Sequence, residues 1–291
     1  MKEIAIISGK GGTGKTIIAA NIAVLAQKKV LSDCDVDASN LHLLLNNKII
    51  ERHDFYAGLI PIVDLKKCIN CNRCVESCRF DAIKEVGQKI NIDHISCEGC
   101  GLCALVCPVQ AIKMKENHCG EWYISETKYG PLIHARLGIA EENSGKLVTL
   151  VRQNSKKVAE KNSLDLIVTD GPPGIGCPLI ATLTGVNLAL IVTEPTLSGI
   201  HDLERVTRAA CHFGVRIIVL INKYDINIEN SIKIEKWCEN QNIKVVGRIH
   251  FDNIFTEALA NGMPLIEYSK NSKASLEIKD VWERLKNILN E

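Results

Sequence analysis

Two stretches of the chain carry residue types and spacings that could do chemistry, one near the start and one between residues 68 and 107. The first reads Gly9-Lys10-Gly11-Gly12-Thr13-Gly14-Lys15-Thr16. It matches the phosphate-binding pattern G-x-x-x-x-G-K-[ST] in full. Its glycines let backbone N–H groups surround phosphate oxygens, Lys15 is expected to reach the β- and γ-phosphates, and the Thr16 hydroxyl is expected to bind Mg²⁺. The stretch predicts a nucleotide-binding loop; a glycine turn that caps a helix is the alternative.

The second stretch holds eight cysteines in two runs of identical spacing. The runs are Cys68, Cys71, Cys74, Cys78 and Cys97, Cys100, Cys103, Cys107. This spacing is typical of bacterial two-cluster ferredoxins, in which the fourth cysteine of each run binds the other cluster. The ligand sets predicted for two [4Fe–4S] clusters are Cys68, Cys71, Cys74 and Cys107 for the first and Cys97, Cys100, Cys103 and Cys78 for the second. Zinc is the alternative, but closed zinc sites are usually built from pairs of cysteines.

The composition excludes several classes of protein. The chain has 291 residues, a formal net charge of +1 and 4% aromatic residues, whereas binders of nucleic acid or anionic membranes normally show a basic excess or stacking aromatics. The start of the chain has no signal-peptide pattern, and no apolar stretch approaches the ~20 residues of a transmembrane helix. We therefore expect a cytoplasmic protein without stable membrane anchoring or nucleic-acid binding, whose 13 cysteines serve metal or redox chemistry.

A regular framework must position these residues, and outside the cysteine runs apolar β-branched segments alternate with amphipathic ones. The predicted strands are Ile4–Ser8, Val30–Asp33, Leu166–Asp170, Leu188–Thr193, Ile217–Asn222 and Val245–Ile249. The predicted helices are Lys15–Gln27, Gly199–Cys211, Asn230–Glu239 and a packed terminal segment at Leu276–Leu289. This alternation predicts an α/β P-loop NTPase fold, a parallel sheet with helices on both faces.

Between about residues 62 and 117 the alternation stops, and each cysteine run is followed by an apolar Ala-Ile pair. We predict a small inserted α+β ferredoxin-like domain at 62–117. The P-loop ATPase domain is then made of residues 1–61 and 118–291. After the insert we expect a hairpin of residues 121–125 and 132–136, and a helix from about residue 144 to residue 161.

The phosphate loop contains a second lysine, Lys10. With it the chain resembles the deviant Walker A ATPases, the MinD-like group that includes the nitrogenase iron protein and Mrp-type cluster carriers. The resemblance implies that Lys10 reaches across a dimer to the partner's nucleotide, and therefore that the protein is a homodimer when ATP is bound. A solvated surface lysine is the alternative reading of Lys10.

Other motifs of this group follow in order. The resemblance implies that Asp35 orients the attacking water and that Asp33 supports Mg²⁺ indirectly; an aspartate that caps a helix is the alternative. It also implies that Asp170 holds Mg²⁺ through water and that Gly171 senses the γ-phosphate. Asn222 would contact adenine, but the stretch Asn222-Lys223-Tyr224-Asp225 also resembles the guanine-reading motif of GTPases. ATP is favoured, and GTP stays open.

The five remaining cysteines are scattered along the chain. Cys177 lies seven residues after Asp170, at an offset where a cysteine of the resembled nitrogenase iron protein helps to bind a bridging cluster. A small buried residue at a helix start is the favoured alternative. Cys119 could be a partner ligand. Cys34, Cys211 and Cys238 are predicted to lie in the core.

The resemblance to MinD-superfamily ATPases with an inserted ferredoxin domain covers nearly the whole chain. It implies a Mg-dependent ATPase that couples dimer closure to electron transfer or to assembly of an iron–sulfur or metal cofactor, with a protein partner that receives electrons or a metal cluster. A redox-sensing regulator of the MinD/ParA positional kind is the alternative. An amidoligase ranks last, because no glutamine-hydrolysing domain is recognisable.

Overall fold

The computed structural model describes all 291 residues as two compact units. Unit 1 consists of Met1–His53, Trp122–Arg136 and Ser144–Glu291. Unit 2 consists of Asp54–Glu121 and Leu137–Asn143. Residues 62–117, for which the sequence predicts an inserted domain, all fall within unit 2.

The chain forms eleven strands and eleven α-helices. The strands are β1 (Lys2–Ser8), β2 (Lys29–Asp33), β3 (Lys48–Val63), β4 (Ile83–Val86), β5 (Lys89–Ile92), β6 (Ile112–Thr127), β7 (Gly130–Leu137), β8 (Leu166–Pro173), β9 (Leu188–Thr193), β10 (Arg216–Asn222) and β11 (Lys244–Ile249). The helices are α1 (Lys15–Leu25), α2 (Leu41–Leu44), α3 (Arg73–Glu76), α4 (Leu102–Leu105), α5 (Ser144–Lys161), α6 (Cys177–Leu183), α7 (Leu197–His212), α8 (Ile228–Asn240), α9 (Ile254–Ala260), α10 (Leu265–Tyr268) and α11 (Lys273–Asn290). None of the helices combines the length and apolarity needed to cross a bilayer.

The main sheet has the strand order β11-β10-β9-β1-β8-β2-β7-β6-β3. The strands from β11 to β7 pair in parallel. β6 and β7 are hydrogen-bonded neighbours joined by a two-residue turn, which is the hairpin predicted after the insert. The parallel part brings the carboxyl ends of its strands to one edge, where ligands bind in open α/β sheets.

The core of unit 1 lies on both faces of the sheet. Ile4 and Ile6 of β1 pack into one apolar cluster together with α1 and α11, whereas Ala5 and Ile7 pack into a second cluster with α6 and α7. Successive side chains of a strand point to opposite faces, so β1 is covered by helices on both sides. The predicted α/β P-loop fold with a mostly parallel sheet is confirmed, as is the packed terminal helix.

Unit 2 contains the antiparallel pair β4–β5 and the two single-turn helices α3 and α4. Each of these helices follows a residue in the left-handed region, Asn72 with φ 57° and Gly101 with φ 77°. A small core of Ile83, Ile90 and Ile112 packs against cysteine side chains. None of the 13 cysteines forms a disulfide.

Candidate nucleotide site and cysteine-lined cavities

The phosphate loop connects the end of β1 at Ser8 to the start of α1 at Lys15. Gly12 and Gly14 have φ angles of 81° and 87°, which favour glycine. A Cβ atom on Gly12 would meet nothing within 4 Å, whereas one on Gly14 would lie 2.4 Å from Asn222 Nδ2. Gly12 therefore faces open space fit for phosphate, and Gly14 makes room for a close neighbour.

Lys15 is the buried cation of the site, with only 6% of its side chain exposed. Its Nζ lies 2.8 Å from Asp170 Oδ1, 3.6 Å from Asp35 Oδ2 and 3.4 Å from Thr16 Oγ1. Burial lowers the pKa of Lys15, but the charges of Asp170 and Asp35 outweigh burial and raise that pKa above its usual value. Lys15 is therefore charged at neutral pH and available to a phosphate.

Asp33 is the last residue of β2, and Asp35 lies two residues beyond it. Their side chains have different roles. Asp33 is fully buried, and its carboxylate accepts hydrogen bonds from Asp35 N, Ser39 Oγ and Leu41 N. Burial, together with the charge of Asp170, raises the pKa of Asp33 to about 7. Asp33 thus shapes the segment after β2, while Asp35 lines the cavity beside the phosphate loop. Burial also raises the pKa of Asp35, and Lys15 opposes that shift.

Two buried oxygens near the loop have no hydrogen-bond partner, Thr13 Oγ1 and Asp170 Oδ2. Buried polar atoms are nearly always paired, so an orphaned oxygen calls for a ligand, an ion or water. Asp170 Oδ1 and Thr16 Oγ1 both contact Lys15 Nζ, at 2.8 and 3.4 Å, and carboxylate and hydroxyl oxygens suit Mg²⁺, which prefers oxygen ligands and keeps several of its waters. The residues present therefore fit a Mg²⁺–nucleotide complex.

The loop opens into a cavity of about 730 Å³, within the range of small-molecule sites. Seven predicted residues of the loop line it, together with Asp35 and Asn222. Gly9, Asp170 and Gly171 do not line it. Gly9 packs against Asp202, and Gly171 against Ile7 and Thr182.

Asn222 uses its amide within the protein. Its Nδ2 donates to Thr13 O at 2.8 Å, and its Oδ1 accepts from Lys223 N at 3.1 Å. Asn222 thus supports the phosphate loop from the end of β10. The predicted contact with adenine stays a prediction.

Lys10 is held within its own chain. Its Nζ lies 2.6 Å from Glu194 Oε1 and donates to Thr196 Oγ1 and Ser198 Oγ at 3.0 and 2.9 Å. Glu194 also binds Lys223 at 3.1 Å. Burial raises the pKa of Glu194, but the two lysines outweigh it and lower that pKa below its usual value. The predicted role of Lys10 across a dimer stays a prediction.

Sequence reasoning missed Glu194 and the segment 250–252. Phe251 is half-exposed and lines the nucleotide cavity, and its backbone N–H donates to Asp225 Oδ1 at 2.6 Å. Asp225, the last residue of the stretch that resembles the guanine-reading motif, does not line the cavity. Their position in the sequence could have identified them. Glu194 directly follows β9 and the segment 250–252 directly follows β11, and ligands bind at the carboxyl ends of parallel strands.

In unit 2 the eight clustered cysteines line two separate cavities. The first is lined by Cys68, Cys71, Cys74 and Cys107, and the second by Cys78, Cys97, Cys100 and Cys103. Apolar side chains such as Val63, Ile90 and Ile112 make up much of the first cavity. In each cavity one cysteine is buried and one is exposed, and the exposed ones are Cys71 and Cys100. Each cavity is thus lined by four cysteines from two segments of the chain.

The thiols differ in their environment. Burial raises the pKa of Cys74 and of Cys103. For Cys107 burial acts in the same direction, but backbone N–H groups outweigh it and lower the pKa. One of them, Ala111 N, lies 3.2 Å from Cys107 Sγ.

The predictions for the scattered cysteines were partly wrong. Cys34 and Cys238 are buried as predicted, but Cys211 is exposed near the end of α7 rather than in the core. Cys177 begins α6 and is exposed, not buried. In unit 2, Cys119 is buried, its Sγ donates to Ala57 O at 3.0 Å, and burial raises its pKa to about 11.

Comparison with known proteins places the chain in a family. Residues 4–265 match the model of the CobQ/CobB/MinD/ParA nucleotide binding domain. An uncharacterized protein of Methanocaldococcus jannaschii is 37% identical over 99% of this chain and 97% of its own length. The septum site-determining protein MinD of Pyrococcus horikoshii, solved with Mg-ADP, covers 99% of this chain and 96% of its own, with a TM-score of 0.61 at 19% identity.

Two further relatives are a protein named for iron-sulfur clusters and a subunit of an enzyme. An iron-sulfur cluster carrier protein of Pyrococcus abyssi is 23% identical over 99% of this chain and 87% of its own length. The pyruvate synthase subunit PorD of Methanothermobacter marburgensis is 44% identical over 57 residues, which are 20% of this chain and 67% of that subunit. The family match and the phosphate loop agree, and the chain belongs to the CobQ/CobB/MinD/ParA nucleotide-binding family as an ATPase of the MinD/ParA type.

Proposed function

We propose that this ATPase is an iron–sulfur protein that couples ATP-driven dimer closure to electron transfer or to assembly of an iron–sulfur or metal cofactor. The observation that carries the proposal is the division of eight cysteines between two cavities, four to each, in a chain that also holds a nucleotide loop. A [4Fe–4S] cluster takes four cysteine thiolates. The donor sets therefore fit two such clusters.

The cysteines of each cavity differ in their exposure to solvent, and we infer that the buried ones shield a cluster from water while the exposed ones lie on its solvent side. In the first cavity Cys74 is buried, with apolar neighbours that exclude water, while Cys71 is exposed. The second cavity repeats this arrangement with Cys103 and Cys100. When bound, such clusters supply one-electron chemistry at potentials set by hydrogen bonds and solvent exposure. The N–H of Ala111, which donates to Cys107 Sγ, is one such hydrogen bond.

The nucleotide cavity supplies the other half of the function. Lys15 would neutralise the β- and γ-phosphates, Thr16 would bind Mg²⁺, and Asp170 would support that ion through water. Asp35 lines the cavity beside Lys15, where it would orient the attacking water. We infer that closure of a homodimer requires Lys10 to leave Glu194 and reach the partner's nucleotide.

The two candidate outputs have different support. Likeness to the iron-sulfur cluster carrier protein supports cluster assembly or transfer, whereas electron transfer is supported by the one-electron chemistry that [4Fe–4S] clusters supply. A redox-sensing positional ATPase is the second candidate, supported by likeness to septum site-determining MinD of Bacillus subtilis at 23% identity over 98% of this chain. A capture experiment with Asp35→Ala and ATP, done without oxygen, distinguishes them by the class of protein retained: an oxidoreductase, a cluster acceptor or a positional scaffold.

The cluster assignment is tested by iron content after anaerobic purification. We expect about eight irons per chain, four for each cluster. Cys107→Ser and Cys78→Ser should each reduce iron bound to one cavity, because each removes one of four ligands there. Cys211→Ser is the matched control, since Cys211 lies in unit 1 and outside both cavities, and it should keep the full iron content. Equal iron in all three variants, or a colourless wild type, would refute the assignment.

A further inference from the structure

We propose that Asp54, His118 and Glu121 form an additional, exchangeable site for one divalent first-row transition-metal cation. One ligand atom from each side chain, a ring nitrogen and two carboxylate oxygens, lies within 4.8 Å of the other two. All three residues belong to unit 2. The site uses no cysteine, so it stands independently of the proposed iron–sulfur function.

The spacing of the ligand atoms suits a metal. Asp54 lies on β3, and His118 and Glu121 lie on the neighbouring strand β6. His118 Nε2 is 3.1 Å from Asp54 Oδ1. With metal–ligand bonds of about 2.1 Å, neighbouring ligand atoms are about 3.0 Å apart in an octahedral site and about 3.4 Å apart in a tetrahedral one. This pair already has the separation of one polyhedron edge. The Glu121 oxygen lies within 4.8 Å of both atoms, so it would complete a face by approaching them by up to about 1.4 Å for a tetrahedral site or about 1.8 Å for an octahedral one.

The donor set selects the class of metal. Imidazole favours zinc, iron and their neighbours, while carboxylates favour harder cations, so one imidazole with two carboxylates fits Mn²⁺, Fe²⁺ or Zn²⁺ better than Mg²⁺ or Ca²⁺. The His118 and Asp54 side chains are 46% and 56% exposed, so water can fill the remaining positions and the ion can exchange. Tyr56 packs edge-on against the His118 ring, at 5.3 Å between centroids, and limits its rotation.

His250, which also contacts two carboxylates, shows that the carboxylates of a metal site must lie near the same ring nitrogen. In unit 1, His250 Nδ1 lies 2.7 Å from Glu277 Oε2, and His250 Nε2 lies 3.3 Å from Asp252 Oδ2. These carboxylates occupy different nitrogens of the ring and cannot meet at one ion. In unit 2 the three donors lie near a common point. The competing explanation there is an ion pair that protects the edge strand β3 from pairing with another sheet.

The test uses Mn²⁺ as the probe and the EPR signal of free Mn²⁺ as the readout. Anaerobically purified full chain is titrated without nucleotide, in excess Mg²⁺, which occupies oxygen-only sites. Wild type should bind one Mn²⁺ in competition with Mg²⁺, and Zn²⁺ should displace it. His118→Gln, which keeps a polar group beside Asp54, should weaken this binding by at least about tenfold. His94→Gln is the matched control, because His94 is exposed in the same unit and outside the trio.

Equal Mn²⁺ binding by wild type and His118→Gln would overturn the proposal. So would a wild-type protein that binds no Mn²⁺ in the presence of excess Mg²⁺. The trio would then be an ion pair only. If His118→Gln alters the melting temperature, Glu121→Gln decides the question, because it removes one carboxylate charge and leaves the His118–Asp54 pair in place. Undiminished Mn²⁺ binding by that variant would count equally against the site.

Discussion

The phosphate loop packs against Asn222 at Gly14. Gly14→Ala should therefore lower the free energy of unfolding more than Gly12→Ala does. Both glycines lie in the left-handed region, where an alanine costs about 1–2 kcal/mol. At Gly14 the added Cβ would also lie 2.4 Å from Asn222 Nδ2. That nitrogen donates to Thr13 O, so the amide must move and lose a hydrogen bond worth about 1 kcal/mol.

The comparison isolates this second cost. Gly12→Ala meets no atom within 4 Å, so it carries the backbone strain alone. The difference of about 1 kcal/mol corresponds to a melting temperature about 2–4 °C lower for Gly14→Ala than for Gly12→Ala. Thermal unfolding is measured without nucleotide, because a methyl group at Gly12 would intrude on bound phosphate. Equal melting temperatures for the two variants would show that Asn222 does not brace the loop.

Two further predictions concern the core of unit 1. Burial, with a contribution from His42, lowers the pKa of His134 from 6.5 to about 4. Folding therefore favours the neutral form of His134. About 2–3 kcal/mol of folding stability that is present above pH 6.5 should be lost as the pH falls to 4. Melting temperatures over this range should fall less steeply for His134→Phe, and an unchanged slope would contradict the assignment. Arg152 holds Glu3 through two hydrogen bonds of 2.8 and 2.7 Å. Arg152→Met should cost about 3 kcal/mol, because it leaves the buried Glu3 carboxylate with only Thr169 Oγ1 at 3.1 Å and the partly exposed Lys156 at 3.8 Å. Adding Glu3→Gln should restore part of this loss in thermal unfolding, and a further loss would count against it.

Local pattern was enough to predict the nucleotide-binding framework. The loop motif, the apolar strand before it and the helix after it are contiguous, so their geometry depends little on distant residues. The predicted helix Lys15–Gln27 ends instead at Leu25, because Ala26 is extended and Lys28 has a φ of 44°. The pairing of cysteines into two sets likewise followed from spacing alone, and the cavities have the same two sets of lining cysteines.

Features that depend on long-range contacts were not predictable in this way. β3 and β6 are each 16 residues long, yet β3 is largely exposed and shows no clean alternation of apolar and polar residues. Glu194 acts through Lys10 and Lys223, which lie far from it in sequence. Cys211 occupies an amphipathic helix, where only the true orientation of α7 tells an outward cysteine from an inward one.

The outward orientation of Cys177 and Cys211 also affects how self-association is measured. In air, two accessible thiols can be oxidised between molecules, and the resulting covalent pairs would form without ATP and survive its removal. Cross-linked molecules of this kind would elute in gel filtration like a nucleotide-dependent dimer, although the Lys10–Glu194 ion pair would still be intact. A Cys177→Ser/Cys211→Ser background handled under reductant keeps nucleotide-driven association separate from an artefact of oxygen.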